Sequence, residues 1–210
     1  MKLIFWNVDT QYDFIEDKKY KGTLVIPESG LIRPSLNLLT QYASNRGVQV
    51  VNTGDWHDKK SQEIGENPDY INIFPRHCMA GTFGVKFIPE TQPKNPVVIT
   101  WKDKRFDRDE ILKTRNLVLY KDHFSVFNGN KHTDKIIETI SPDEAVVYGV
   151  ATDVCVKYAV LGLQQRGVQC YVALDAIKGI TPESSDKALE EMTNAGARFV
   201  TTQDVLEGRI

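Results

Sequence analysis

Seven short runs rich in β-branched and aromatic residues punctuate this chain. They are Leu3–Val8, Val48–Asn52, Val97–Trp101, Leu117–Tyr120, Glu144–Val150, Val168–Leu174 and Arg198–Thr201. The stretches between several of them carry helical spacing. Ile32, Leu36, Leu39 and Ala43 recur on one helical face, and Gly47 follows as a stop signal. Asp107–Arg115, His132–Ile140 and Val154–Arg166 read as further helices, and Thr181 with Pro182 opens one that Gly196 ends. This alternation predicts an α/β fold, a mainly parallel sheet with helices on both faces in three layers, Rossmann-like in plan. With 210 residues, 41% of them hydrophobic, the chain can bury one sizeable core, so residues 1–210 are expected to form a single domain.

In open parallel sheets ligands bind beyond the carboxyl ends of the strands. Asp9, Asp55, Lys121, Ala151 and Asp175 all fall at such ends. The stretch from Trp56 to Pro96 lacks periodicity, and a loop this long inside a compact domain is usually functional or disordered. Its aromatic content and His77 favour function.

The net charge of −2 leaves no basic surplus for nucleic acid or an anionic membrane, so neither is expected as a partner. The apolar run after Lys2 is broken by Asn7 and ends at Asp9, too short for a signal peptide, and no run approaches a membrane span. Three widely spaced cysteines, Cys78, Cys155 and Cys170, do not suggest a disulfide framework. A reducing, cytoplasmic setting is the expectation.

Three strand-end residues can carry chemistry together. Cys155 follows the apolar run ending at Val150 and falls in the first turn of the next helix, where free N–H groups and the positive dipole end favour thiolate and can hold an oxyanion. A buried, inert thiol is the alternative, and it is the reading for Cys170 inside its apolar run. Asp9 can take and return a proton, or simply cap a turn. Lys121 can steady Asp9 and developing negative charge, or be a solvated surface charge. No Gly-x-Gly-x-x-Gly follows the first run, which counts against a dinucleotide-binding module.

A second set is Asp55, His57, Glu63 and His77. Residues two apart in extended chain point the same way, so Asp55 and His57 can grip one ion. A mixed oxygen and nitrogen set suits zinc, manganese or iron(II), and His57, His77 and His123 are three of the four histidines in the chain. Local hydrogen bonding is the alternative for each. Phe14, Trp56 and Phe74 lie in the same segments and can face a flat ring, or pack in the core.

The segments that carry these residues resemble the isochorismatase-like cysteine hydrolases, and most of all their nicotinamidase (pyrazinamidase) branch. Val8-Asp9-Thr10-Gln11-Tyr12-Asp13-Phe14 is similar to the family motif whose first aspartate is the acid/base. Lys121 falls where the family has its lysine, and Gly149–Val156 resembles the nucleophile segment. Asp55-Trp56-His57 and Phe74–Gly84 resemble the two parts of the nicotinamidase metal site. The resemblance covers nearly the whole chain. It implies an open six-stranded sheet, a Cys155 nucleophile served by Asp9 and Lys121, and a cis Val150–Ala151 peptide. It also implies an oxyanion hole made by the Ala151 and Cys155 amides.

The implied substrate is a small-molecule amide, nicotinamide, cleaved to nicotinate and ammonia with the ring between Phe14 and Phe74. One divalent metal ion, zinc first, is the implied cofactor. Homo-oligomers are frequent in the family. Two positions depart from its pattern. Glu63 stands where many nicotinamidases have a histidine, with Glu66 as a rival carboxylate, and Phe74 stands where many have tryptophan. Three other functions stay open: a related amidohydrolase acting on a carbamoyl or ureido compound, a hydrolase whose metal activates water directly, and a non-catalytic ligand-binding module.

Overall fold

The computed structural model describes residues 1–210. In chain order the elements are β1 (Leu3–Val8), α1 (Arg33–Arg46), β2 (Gln49–Asp55), β3 (Val97–Thr100), α2 (Arg108–Lys113), β4 (Asn116–Lys121), α3 (Val126–Gly129), α4 (Thr133–Ile140), β5 (Glu144–Val150), α5 (Lys157–Gln165), β6 (Gln169–Lys178), α6 (Pro182–Asn194), β7 (Arg198–Val200) and α7 (Thr202–Leu206). The seven strands form one sheet in the order β3-β4-β2-β1-β5-β6-β7, and every pairing is parallel. The six-stranded sheet implied by resemblance is therefore corrected to seven, the last being the short edge strand β7.

Side-chain alternation along the central strands explains the three layers. Ile4, Trp6 and Val8 of β1 and Val147 of β5 join one core with Ile136 and Ile140 of α4, Val160 and Leu163 of α5 and Met192 of α6. Phe5, Val146 and Tyr148 face the other way and meet Leu36, Leu39 and Ala43 of α1 and Val205 of α7. Local residues set two of the helix boundaries. Gly47 closes α1 at φ 65°, where a Cβ would be strained, and the Thr181 hydroxyl accepts from Ser184 N–H to open α6. Gly149 has φ 120°, and a Cβ there would fall 2.0 Å from the Val8 carbonyl oxygen, so only glycine lets β5 lie this close to the end of β1.

The helix expected over Val154–Arg166 starts later. Thr152–Val156 forms a wide turn in which Val156 N–H donates to the Ala151 carbonyl, five residues back, and the α-helix begins at Lys157. Asp175, expected at a strand end, lies inside β6, exposed, where it accepts from the backbone and hydroxyl of Thr202. The aperiodic stretch after β2 folds without regular elements. It is stapled by bridges between Gln11 and Phe87, His57 and Met79, and Ile64 and Phe74.

The chain reverses direction across the sheet beside β1, whose neighbours are β2 and β5. The carboxyl ends of β4, β2, β1 and β5 thus meet in one place, the switch point where an α/β sheet opens a crevice.

Candidate active site

Asp9 follows β1, Asp55 ends β2, Lys121 ends β4, and Cys155 lies in the turn after β5. Register brings them together, since Asp55 pairs directly with Lys121 and Val8 lies opposite both Thr53 and Gly149. Lys121 Nζ is 2.9 Å from Asp9 Oδ2 and 3.7 Å from Cys155 Sγ, and it also donates to Asp55 Oδ1. Thr53 donates its hydroxyl to Asp9 Oδ1 at 2.7 Å. All four principal residues are buried, so these charges interact with little water to screen them.

Their charge states follow from this packing. Burial opposes the charge on Lys121, but the Asp55 and Asp9 carboxylates outweigh it and hold the ammonium well above its ordinary pKa. Burial raises Asp9 against the pull of Lys121. Asp55 goes the other way. Burial opposes its charge too, yet the Lys121 ammonium, with the His77 hydrogen bond and the nearby His57 ring, holds it well below the usual carboxylate range. Burial pushes the Cys155 thiol well above its ordinary value; Lys121 pulls it down, and Asp9 and Asp55 push it up again. The turn's N–H groups and Lys121 favour thiolate, while burial and the two carboxylates favour the thiol beside a carboxyl of raised basicity.

The second set also converges. Ligand atoms of Asp55, His57, Glu63 and His77 lie within 4.8 Å of one another, and all four residues are buried. His77 Nε2 is 3.3 Å from Asp55 Oδ2, and its Nδ1 donates to the Pro75 carbonyl at 2.7 Å. His57 Nε2 is buried with no hydrogen-bond partner and faces Asp55 and Glu63. An orphaned buried ring nitrogen aimed at two carboxylates and a second imidazole is a donor set that fits a divalent cation. Glu63 is the carboxylate in place, and Glu66 is exposed. The reason is local. Glu63 adjoins the Ile64–Phe74 bridge, its carbonyl accepts from Phe74 N–H at 2.7 Å, and its Oε2 accepts from Phe124 N–H at 2.8 Å.

The two sets meet at one cleft, which Cys155 lines from the first and Asp55, Glu63 and His77 line from the second. Phe14, Leu24, Ile26, Phe74, Phe124, Val150, Val154 and Ile180 supply its apolar wall, and Asp55, Glu63, His77, Ala151 and Cys155 also line it. The Val150–Ala151 peptide is cis. Phe14 and Phe74 pack against His77, with ring centroids 5.3 and 6.2 Å from it. Trp56 stands outside the cavity lining, packed against Trp101 and Tyr120. In extended chain Asp55 and His57 point inward, so the residue between them points away. His123 lies over Phe124 at 3.9 Å, outside the ligand cluster.

Two residues of the Asp9 motif act as scaffold. Gln11 accepts from Asp55 N–H at 2.7 Å and donates to the carbonyls of Asp55 and Val85. Asp13 accepts from Cys78 N–H at 2.7 Å, fixing the chain directly after His77. A Cβ on Gly84 would lie 2.1 Å from that carboxylate, so the glycine makes room for it. The motif spacing was the available signal for both. Phe124 and Ile180 had none, because only the tertiary fold brings them to the cavity.

Residues 3–204 match the isochorismatase domain. The chain belongs to the isochorismatase domain family. It is 27% identical to the nicotinamidase of Escherichia coli, over 94% of this chain and 93% of that one. It is also 27% identical to the nicotinamidase/pyrazinamidase of Mycobacterium tuberculosis, over 92% and 95%. Among solved structures it is similar to the pyrazinamidase of Pyrococcus horikoshii in complex with zinc, with TM-score 0.76 and 27% identity over 96% of this chain and 99% of that one. As a member of this family close to its nicotinamidases, the chain is a hydrolase acting on carbon–nitrogen amide bonds. No helix is long and apolar enough to cross a membrane.

Proposed function

We propose that this enzyme hydrolyses nicotinamide to nicotinate and ammonia through a thioester on Cys155. One observation carries the reading: the Lys121 ammonium lies between Asp9 and Asp55 and 3.7 Å from the Cys155 sulfur, beside a cavity lined by Asp55, Glu63 and His77 of the four-residue ligand cluster. The nicotinamidase relatives support the choice of substrate.

In this scheme the pyridine ring lies between Phe14 and Phe74. Asp9 takes the Cys155 proton as sulfur attacks the amide carbon, and the oxyanion is held by the amides of Ala151 and Cys155. Asp9 passes the proton to the departing ammonia. It then draws a proton from the water that opens the thioester, and returns it to Cys155 as nicotinate leaves. Lys121 keeps Asp9 placed and compensates the charge that develops on it. Asp55, His57, Glu63 and His77 would hold one divalent ion, zinc in the first instance and manganese or iron(II) otherwise. When bound, it supplies a positive anchor for the ring-nitrogen lone pair.

A panel of small amides and ureido compounds, assayed for ammonia, tests the substrate assignment. Nicotinamide and pyrazinamide should be turned over with the highest kcat/KM. A preference for a carbamoyl or ureido compound would overturn it and leave the amide-hydrolase chemistry intact.

A further inference from the structure

Asp122 directly follows Lys121 and lies outside the cavity lining. Its Oδ1 sits 3.1 Å from His57 Nδ1 and also accepts from the Ser61 hydroxyl, whose oxygen accepts from Asp58 N–H at 2.9 Å. His57 is wholly buried. Its other nitrogen, Nε2, lies 3.6 Å from Asp55 Oδ2 and 3.9 Å from Glu63 Oε1, beyond hydrogen-bond reach of either.

We propose that Asp122 is the positioning residue of the ligand cluster: it accepts the His57 Nδ1–H, so that the neutral ring carries its lone pair on Nε2, aimed at the point shared with Asp55, Glu63 and His77. The inference rests on reading that cluster as a divalent-ion site, and is independent of nicotinamide as substrate. An imidazole has two tautomers and turns about its Cβ–Cγ bond, so something outside the donor set must select one state. For His77 the Pro75 carbonyl does this. For His57 it is a carboxylate, which also adds negative charge and makes the ring a stronger donor. The Ser61 hydroxyl and the Asp122 N–H, which donates to the Gly129 carbonyl at 3.1 Å, fix that carboxylate in turn. The dipeptide Lys121-Asp122 thereby serves both halves of the site, Lys121 reaching the acid pair and Asp122 reaching His57.

The experiment measures zinc and manganese dissociation constants by competition with a chromophoric chelator, for the wild type, Asp122→Ala and Asp122→Asn. Asp122→Ala should weaken binding by about 10–100-fold. Asp122→Asn, whose amide oxygen can still accept from Nδ1–H without the charge, should fall between the two. The side chain is 22% exposed, so truncation leaves no sealed cavity. Long-range 1H–15N correlation of the His57 ring supplies a second readout. In the zinc-loaded protein, where the ring is neutral, Nδ1–H should be retained and protected in the wild type and Asp122→Asn, and exchange faster with a less uniform ring signal in Asp122→Ala. Equal affinities for the wild type and Asp122→Ala, within about twofold, would overturn the positioning role alone. A wild type that takes up neither ion would overturn the cluster reading with it.

Discussion

Lys121 holds its ammonium 2.9 Å from the Asp9 carboxylate, with Lys121 1% exposed and Asp9 wholly buried. The same ammonium compensates Asp55. Lys121→Ala would leave two buried carboxylates facing each other without a counter-charge. A loss of about 3–5 kcal/mol of stability is expected, read by urea unfolding. Lys121→Arg should not restore activity, because a planar guanidinium cannot replace a compact ammonium among three tightly placed partners.

Asp9→Asn separates proton transfer from structure. The amide oxygen can still accept from the Thr53 hydroxyl, and Lys121 keeps Asp55. We expect kcat to fall by at least about 100-fold with KM little changed, in a steady-state ammonia assay. A variant that kept most of its kcat would show that another group carries the proton.

Protonation of the ligand cluster gives the metal-free protein a definite pH dependence. Burial disfavours the charged His57 ring, but the hydrogen bond to Asp122 and the nearby Asp55 and Glu63 carboxylates prevail and raise its pKa from 6.5 to about 9. Glu63 is raised from 4.5 to about 7, by burial first and then by Asp55. Both folded values lie above the ordinary ones, so both groups stabilise the fold at low pH. The Glu63 contribution is complete below about pH 4.5 and lost as pH rises through 7; that of His57 is complete below 6.5 and lost through 9. In chelator, the melting temperature should fall between pH 5 and pH 9. Glu63→Gln should flatten the lower part of the fall. Added zinc should reverse the trend, because the ion competes with these protons and binds better as they leave. A chelated protein that grew more stable over this range would contradict the description of the cluster.

The two aromatic positions separate cleanly. Phe74 lines the cavity, so Phe74→Ala should raise the KM for nicotinamide by roughly tenfold, about 1.4 kcal/mol of lost ring contact. Trp56 packs against Trp101 and Tyr120 instead, so Trp56→Phe should leave KM within about twofold. Steady-state kinetics on both variants reads the difference directly.

The strand-end positions of Asp9, Lys121 and Cys155 were legible because a buried apolar run declares where it stops, and parallel strands stop on the same side of the sheet. The helices were legible from period and from stops such as Gly47 and Gly196. Tertiary geometry was not. Trp56 looked like a ring-facing residue until alternation turned it away from Asp55 and His57. Asp122, Phe124 and Ile180 reach the site through chain that carries no periodic signal. The opposing fields on Cys155 were not legible for a related reason. A helix start favours thiolate, while burial and two neighbouring carboxylates, seen only once four strands are assembled, push the thiol pKa up. The count of strands was better read from the seven apolar runs than from the family pattern.

The most direct test of Cys155 as nucleophile is ammonia release from nicotinamide by the wild type and by Cys155→Ala, with the melting temperature measured on the same samples. The wild type should release ammonia, and Cys155→Ala should release none above background while keeping its fold. Persistent release by a folded Cys155→Ala, abolished by chelator, would contradict the thioester route and assign the chemistry to metal-activated water.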